Sequence, residues 1–176
     1  MSGLAALHIL LVDDNPHMRT IASAILKSAG AKVIQEVDDG AKALEVMRHF
    51  PADLAIVDFN MFPLDGVAFT RLIRNSEQSP NPYLPIIMMT GHSERSRVQE
   101  ARDAGVTEFV VKPITAKAML ERIHAVVFRP RPFIRTDDYF GPCRRRVTRA
   151  SYAGPFRRST DAQTAPATFD EASSAA

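Results

Sequence analysis

The fold is decided by the stretch His8-Ile-Leu-Leu-Val-Asp-Asp14, in which a short apolar run ends in two adjacent acids. Four further short apolar runs follow, at residues 32–36, 54–57, 86–89 and 109–111. Amphipathic helical patterns alternate with the runs, over roughly residues 16–29, 40–49, 65–75, 94–104 and 115–128. Short strands that are apolar on both faces and joined by helices require a parallel sheet covered on both sides. The sequence therefore predicts an α/β domain with a five-stranded, doubly wound parallel sheet.

Polar residues stand directly after four of these runs. Asp13 and Asp14 follow the first run and Asp58 follows the third, whereas Thr90 and Lys112 follow the fourth and fifth. The carboxyl ends of parallel strands meet at one edge of such a sheet, where ligands bind. Three carboxylates gathered there repel one another unless a hard cation lies among them, and oxygen ligands suit Mg²⁺. The sequence therefore predicts a magnesium pocket.

Asp58, at the centre of that edge, has a role distinct from the other acids. As a carboxylate nucleophile it could take up a phosphoryl group and form an aspartyl phosphate. Lys112 would pair with one oxygen of that group, and the hydroxyl of Thr90 would hydrogen-bond to another. Hydrolase and dehydrogenase motifs are missing from the sequence, so no further catalysis is expected and the protein is not predicted to be an enzyme.

Residues 7–128 resemble the receiver domain of two-component response regulators, the CheY-like group. The matching motifs are Val12-Asp13-Asp14, Val57-Asp58, Met61, Asp65-Gly66, Thr90-Gly91 and Lys112-Pro113, in the order and spacing of that group. The resemblance implies a flavodoxin-like fold, Asp58 as the phosphoacceptor, and Asp13 and Asp14 as metal ligands. It also implies Asn60 as a ligand through its backbone carbonyl, and a histidine kinase or phosphotransfer protein as a partner.

Two positions depart from the pattern of that group. Phe62 stands between Met61 and Pro63, where the group usually has proline directly, so the loop beside the metal is expected to differ in shape. The aromatic switch position, three residues before Lys112, is Phe109 and has no hydroxyl to hydrogen-bond at the surface. Neither departure changes an acid of the predicted magnesium pocket, so phosphorylation of Asp58 is chemically feasible. How phosphorylation would be coupled to a downstream response is left open.

The formal charge of +2, from 22 basic and 20 acidic side chains, is a cancellation between unlike parts. Residues 1–128, the predicted receiver domain, carry 13 basic and 15 acidic side chains. Residues 129–160, predicted as a ligand-binding arm, carry nine arginines, two aspartates and no lysine. Residues 161–176 add three acids and are predicted to be disordered. An excess of arginine over lysine favours recognition of planar or phosphate groups over simple solubility.

The arm contains an internal repeat. Tyr139-x-Gly-Pro-x-Arg144-Arg145 recurs thirteen residues later as Tyr152-x-Gly-Pro-x-Arg157-Arg158. Gly-Pro is a turn signal, so neither copy is predicted to be a core strand or helix. Each copy is expected to form a turn that places an aromatic ring beside two guanidinium groups. Without a ligand the arm is expected to be disordered, and a ligand is expected to order it.

The side chains of the arm suit a small, guanine-rich dianion. Arginine pairs with phosphate and with the guanine edge, tyrosine stacks on bases, and aspartate accepts from the amino edge of guanine. That chemistry fits cyclic di-GMP. The predicted ligand-binding residues are Arg131, Arg135, Asp137, Asp138, Tyr139, Arg144, Arg145, Arg146, Arg149, Tyr152, Arg157 and Arg158. One repeat copy would give only weak binding, so Arg135 to Arg158 are predicted to act as a unit.

A receiver followed by such an arm resembles the Cle group of CheY-like cyclic di-GMP effectors. The resemblance implies a cytoplasmic protein that docks on the flagellar motor switch and alters motility and surface attachment. The apolar run at residues 4–12 is too short to cross a bilayer and lacks a basic leader, and the single Cys143 fits a reducing compartment. Membrane insertion is therefore not expected.

Two alternatives stay open. The arm could bind nucleic acid, although Asp137 and Asp138 would repel a phosphate backbone and make this partner less favoured. The protein could instead be a receiver that works by phosphorylation alone, with an arm that has no function.

Overall fold

The computed structural model describes residues 4–91 and 97–144. After a short 3-10 helix at Leu4–Ala6, strands and helices alternate along the chain. The elements are β1 (His8–Val12), α1 (Pro16–Ser28), β2 (Val33–Val37), α2 (Gly40–Val46), β3 (Leu54–Asp58), α3 (Gly66–Asn75), β4 (Ile86–Thr90), α4 (Val98–Ala104), β5 (Glu108–Val111) and α5 (Ala116–Phe128). Two more strands follow, β6 (Phe133–Thr136) and β7 (Tyr139–Pro142).

The five first strands form one parallel sheet in the order β2-β1-β3-β4-β5, which confirms the predicted doubly wound fold. Alternate residues of each strand face opposite layers. Ile9 and Leu11 belong to one apolar cluster, with α1 and α5, whereas Leu10 and Val12 belong to the other, with α2 and α3. β3 and β4 lie inside the sheet and are buried along their whole length.

Local sequence signals set the ends of several helices. Asn15 caps α1, its Oδ1 accepting from the amide of His17 at 2.9 Å, and proline occupies the first helical position. Gly105 ends α4 with a φ of 101°, a conformation that glycine adopts without steric cost. These signals fix where α1 begins, directly after β1 and Asp13-Asp14, and where α4 ends, before β5.

The prediction for the first repeat copy is wrong. Tyr139-Phe-Gly-Pro142 is a strand, β7, paired antiparallel with β6, and the turn of this hairpin is Asp137-Asp138. Gly141 is needed for close approach, because a Cβ there would lie 2.9 Å from the Cα of Gly105. The expected ordering of the arm by a ligand stays a prediction, and the structure shows the β6–β7 hairpin in its first part. The second copy and the predicted tail lie outside the described residues.

The hairpin is held by a group that we call the hairpin anchor: Arg74, Tyr83, Phe133 and Phe140. The rings of Phe133 and Phe140 lie 5.3 and 5.2 Å from the ring of Tyr83. The Cζ of Arg74 lies 5.0 Å from the ring centre of Phe133, and this side chain is only 2% exposed. The hairpin is stabilised by contacts with Arg74 and Tyr83, which are distant in sequence, and no local sequence pattern predicts these contacts.

Buried Arg74 is satisfied by backbone carbonyls. Its Nε and Nη2 donate to the carbonyl of Gly105 at 3.1 and 3.0 Å, and its Nη1 donates to that of Pro82 at 2.7 Å. Burial lowers the pKa of Arg74 to about 10, so it keeps its charge at neutral pH. Pro82 precedes β4 and Gly105 precedes β5, so the hairpin anchor lies at the amino ends of these strands, opposite the predicted pocket.

Candidate functional site

The carboxyl edge of the sheet brings together Asp13, Asp14, Asp58 and Lys112, which we call the acid pocket. One carboxylate oxygen from each of the three acids lies within 4.8 Å of the others. The Nζ of Lys112 lies 2.7 Å from Oδ1 of Asp58 and 3.6 Å from Oδ2 of Asp13. This convergence follows from the parallel register of β1, β3 and β5.

Burial dominates the electrostatics of the acid pocket. Burial, helped by the charge of Asp13, raises the pKa of Asp58 to about 6 even though Lys112 acts to lower it. The pKa of Asp13 is also raised, again mainly by burial. Burial alone would lower the pKa of Lys112, but its hydrogen bond to Asp58 and the charges of both acids outweigh that and raise it. The acid pocket thus holds three carboxylates and one ammonium group, so Lys112 compensates its negative charge only in part.

The donor set fits a hard divalent cation. Asp13 is fully buried, and while its Oδ1 accepts from the amide of Asn15 at 2.8 Å, its Oδ2 has no hydrogen-bond donor among the described residues. The ammonium of Lys112, 3.6 Å from this oxygen, is shared with Asp58, so a divalent cation would complete the neutralisation of the buried charge. Asp14 is exposed and Asp58 is 5% exposed, so a bound ion would keep water ligands, as Mg²⁺ prefers. The carbonyl role of Asn60, which is exposed, stays a prediction.

The loop after β3 supports the pocket. Asp65 caps α3, its Oδ1 accepting from the amide of Ala68 at 2.8 Å. A Cβ on Gly66 would lie 2.2 Å from the carbonyl oxygen of Asp58, so only glycine lets the helix start this close to the strand. Phe62, the departure noted in the sequence, is 85% exposed and directs its ring away from the core.

Thr90 and Phe109 lie beside one cavity of about 210 Å³, which Gly91, Val111 and Arg102 also line. Thr90 ends β4 and is 3% exposed, whereas Phe109 on β5 is only partly buried. The guanidinium carbon of Arg102 lies 6.0 Å from the ring centre of Phe109. The two predicted switch residues are therefore neighbours with open space between the elements, and their switching role stays a prediction.

The predicted ligand-binding residues of the arm do not all converge. The Nη1 of Arg131 donates to the carbonyl of Cys143 at 3.1 Å and its Nη2 donates to that of Thr107, so this arginine is engaged with the protein itself. Arg135 and Tyr139 lie on opposite faces of the hairpin, as their cross-strand partners Phe140 and Thr136 show. Arg131 thus contacts backbone carbonyls of the protein itself, and its role as a ligand contact stays a prediction.

Two predicted guanidinium groups do lie over aromatic rings. The Cζ of Arg135 lies 4.1 Å from the ring centre of Phe140, and that of Arg144 lies 4.4 Å from the ring of Tyr139. Arg144 also pairs with Asp103 of α4 at 2.7 Å. Asp137 and Asp138 are exposed at the hairpin turn. The other predicted contacts, namely Arg145, Arg146, Arg149, Tyr152, Arg157 and Arg158, lie outside the described residues.

A family model for the response regulator receiver domain matches residues 9–124. The chain belongs to the response regulator receiver family. The chemotaxis protein CheY of Pseudomonas aeruginosa PAO1 is 36% identical over 121 residues, which cover 69% of this chain and 96% of that protein. CheY-3 of Vibrio cholerae O395 is 35% identical over 121 residues, with 69% and 92% covered. This receiver is thus related to the CheY chemotaxis regulators, and receivers are typically signalling modules.

Solved structures agree. CheY4 of Vibrio cholerae superposes with a TM-score of 0.63 at 30% identity, covering 69% of this chain and 98% of that one. The receiver of the sensor histidine kinase PA1611 from Pseudomonas aeruginosa, solved with magnesium in its active-site cleft, has a TM-score of 0.58 and 32% identity, with 68% and 94% covered. Receiver domains bind Mg²⁺ at their acidic site, and the equivalent cluster is present here. Among the described residues, no helix is long and apolar enough to cross a membrane.

Proposed function

We propose that this receiver takes up a phosphoryl group on Asp58 and passes the signal to a protein partner. The observation that carries the proposal is the buried Asp58 carboxylate, held 2.7 Å from Lys112 beside the buried carboxylate of Asp13. Donors would be a histidine kinase, a phosphotransfer protein or a small acyl phosphate. The magnesium ligands would be Asp13, Asp14, Asp58 and the carbonyl of Asn60.

The residues of the pocket divide the chemistry between them. The ionised carboxylate of Asp58 attacks phosphorus, a new O–P bond forms, and the bond from phosphorus to the donor breaks, so the electron pair leaves with the donor. Lys112 pairs with an oxygen of the transferred group, and the hydroxyl of Thr90 donates to another. Bound Mg²⁺ supplies neutralisation of the charge on the phosphoryl oxygens. Attack needs the ionised form of Asp58, which burial disfavours and which the charge of Lys112 and of a bound divalent cation would favour.

Incubation with acetyl phosphate and Mg²⁺, followed by intact-mass measurement, tests this role. We expect the wild type to gain one phosphoryl group and Asp58→Asn to gain none. Asp53→Asn is the matched control, because Asp53 is an exposed acid at the other end of β3 that pairs with His8. Equal incorporation in Asp58→Asn and the wild type would exclude Asp58 as the acceptor.

We infer a second function for the arm, which is the binding of cyclic di-GMP. Support comes from the nine arginines of residues 129–160 and from the stack of Arg135 on Phe140. The Arg135-x-x-Asp138 string lies at the hairpin tip, where both side chains are exposed. The arrangement resembles the Cle group, and CleD in particular. A bidentate arginine–guanine pair and a stacked base each contribute about 1–3 kcal/mol, so several contacts acting together are needed for micromolar affinity.

Calorimetry of the full chain with cyclic di-GMP, GTP and a DNA duplex, each at two salt concentrations, separates the ligands. Binding of cyclic di-GMP with weak salt dependence is the expected result. A nucleic-acid arm would instead bind the duplex with a log–log salt slope of about −5 to −6. A receiver that works by phosphorylation alone would bind none of the three.

Deletion of the arm must respect the hairpin. Removal of residues 129–176 would uncover Arg74 and the ring of Tyr83, and would test folding rather than function. Removal of residues 145–176 keeps the hairpin and removes six of the predicted ligand contacts. We expect this shorter chain to lose most of its affinity for cyclic di-GMP while it still takes up phosphoryl groups.

The proposed partner is the flagellar motor switch in the cytoplasm. Support comes from the relation to chemotaxis proteins and from the resemblance to the Cle group. Co-purification of the full chain with isolated switch protein, with and without cyclic di-GMP, tests the proposal. Binding that is unaffected by the nucleotide and by Asp58→Asn would support the switch protein as the partner. It would contradict control of that binding by cyclic di-GMP or by phosphorylation of Asp58.

A further inference from the structure

Tyr83 is an exposed aromatic residue of the receiver body that lies against the hairpin. It belongs to the loop before β4, and 59% of it is exposed. Its ring contacts Phe133 and Phe140 at 5.3 and 5.2 Å, so part of the ring is packed while the rest faces solvent. Within residues 4–91 and 97–144, its hydroxyl makes no hydrogen bond. A large ring held in this way is a rigid surface available to a ligand.

Arg135 lies on the same face of the hairpin as the rings that Tyr83 contacts. The register pairs Arg135 with Phe140, and Phe133 is two residues from Arg135 on the same strand. Directly paired residues and residues two apart share a face, so Phe133, Arg135 and Phe140 lie on one face of the hairpin. Phe140 contacts both the ring of Tyr83 and the guanidinium of Arg135. Arg135 is exposed, stacks on Phe140 at 4.1 Å, and forms no ion pair within the described part of the chain.

We propose that Tyr83 completes the nucleotide site of the arm, as a stacking surface for a purine base whose phosphate or guanine edge is bound by Arg135. The inference rests on the proposed binding of cyclic di-GMP and adds a residue of the receiver body to that site. A planar, anionic purine nucleotide satisfies both an exposed ring and an exposed guanidinium. An acidic peptide would satisfy only the guanidinium. The site is therefore composite and needs the hairpin to be docked on the receiver.

Calorimetric titration of full-length variants with cyclic di-GMP tests the proposal. A stacked base contributes about 1–3 kcal/mol, so Tyr83→Leu should weaken binding by about 5- to 150-fold. Tyr83→Phe keeps the ring and should bind within about twofold of the wild type. Phe128→Leu is the matched control, because Phe128 is also an exposed ring, 58% exposed, that contacts another ring, that of His124. It should bind like the wild type.

The outcomes are distinguishable. If the wild type does not bind cyclic di-GMP, the proposed nucleotide function fails, and this inference fails with it. If the wild type binds and Tyr83→Leu binds equally well, the nucleotide function stands and the inference is overturned. Should Tyr83→Leu unfold, NMR of the wild type decides, because stacking must shift the Tyr83 ring signals on titration and unchanged signals would contradict it.

Discussion

The acid pocket lies at the carboxyl ends of the parallel strands and the hairpin anchor at the amino ends of β4 and β5. The two regions differ in how their buried charges are compensated. In the pocket, Asp13 and Asp58 share a single lysine, and one oxygen of Asp13 has no donor among the described residues. In the anchor, Arg74 donates three hydrogen bonds to backbone carbonyls and needs nothing further. An unsatisfied buried charge indicates a ligand, whereas a satisfied one indicates structure. The contrast can be tested by removing each charge.

Arg74→Met should cause the largest loss of stability. It leaves the carbonyls of Gly105 and Pro82 without their donor in a buried place, at a cost of about 1–3 kcal/mol for each group. We expect urea unfolding of the full chain to show a loss of about 2–4 kcal/mol. Arg71→Met, one turn earlier, removes only an exposed pair with Glu100 and should cost less than about 1 kcal/mol. Equal losses of unfolding free energy in the two variants would contradict the structural role of Arg74.

Asp58→Asn should do the opposite and stabilise the protein at neutral pH. The pKa of Asp58 is raised from 3.8 to about 6, so the folded state holds a proton that the unfolded state releases. The free energy of unfolding of the wild type therefore falls as pH rises through that interval. Without this carboxylate, the variant should be about 1–3 kcal/mol more stable above pH 6, since one pKa unit corresponds to about 1.4 kcal/mol.

Urea unfolding between pH 4 and 7.5 without divalent ions measures that difference. The two proteins should have similar stability near pH 4 and diverge as pH rises. Addition of Mg²⁺ should stabilise the wild type and reduce the difference, because the ion binds only the folded pocket. A constant difference across the pH range would show that the carboxylate of Asp58 carries no burial penalty.

The two regions also differ in how far they could be predicted. Asp13, Asp58 and Lys112 each stand at the carboxyl end of an apolar run, and parallel topology alone makes them neighbours. The hairpin depends instead on contacts such as that of Arg74 with Gly105, 31 residues away, and no periodicity encodes these. The Gly-Pro pattern predicts a turn at Gly141, whereas this glycine allows close packing against Gly105. The contact of Tyr83 with the hairpin is not predictable either, because the loop before β4 has no periodicity or motif that marks this residue.

The ion pair of Arg144 with Asp103 gives the smallest expected effect. It tests whether Arg144 belongs with the ligand contacts or with arginines, such as Arg74, that are bound within the protein. Both side chains are about half exposed, so the pair should contribute no more than about 1 kcal/mol to folding. If Arg144 also contacts cyclic di-GMP, the ligand must compete with Asp103 for its guanidinium. Asp103→Asn then removes the competitor, and calorimetry should show binding about two- to fivefold tighter, since about 1 kcal/mol corresponds to a fivefold change.

A change of net charge alone could mimic this effect, so the control must make the same change on the same helix. Glu100→Gln removes one negative charge from α4 at a residue that pairs with Arg71 and Arg97 and not with the arm. Tighter binding in Asp103→Asn but not in Glu100→Gln would place Arg144 among the ligand contacts. Equal affinities in both variants and the wild type would instead group Arg144 with Arg74, as an arginine whose partner lies within the protein.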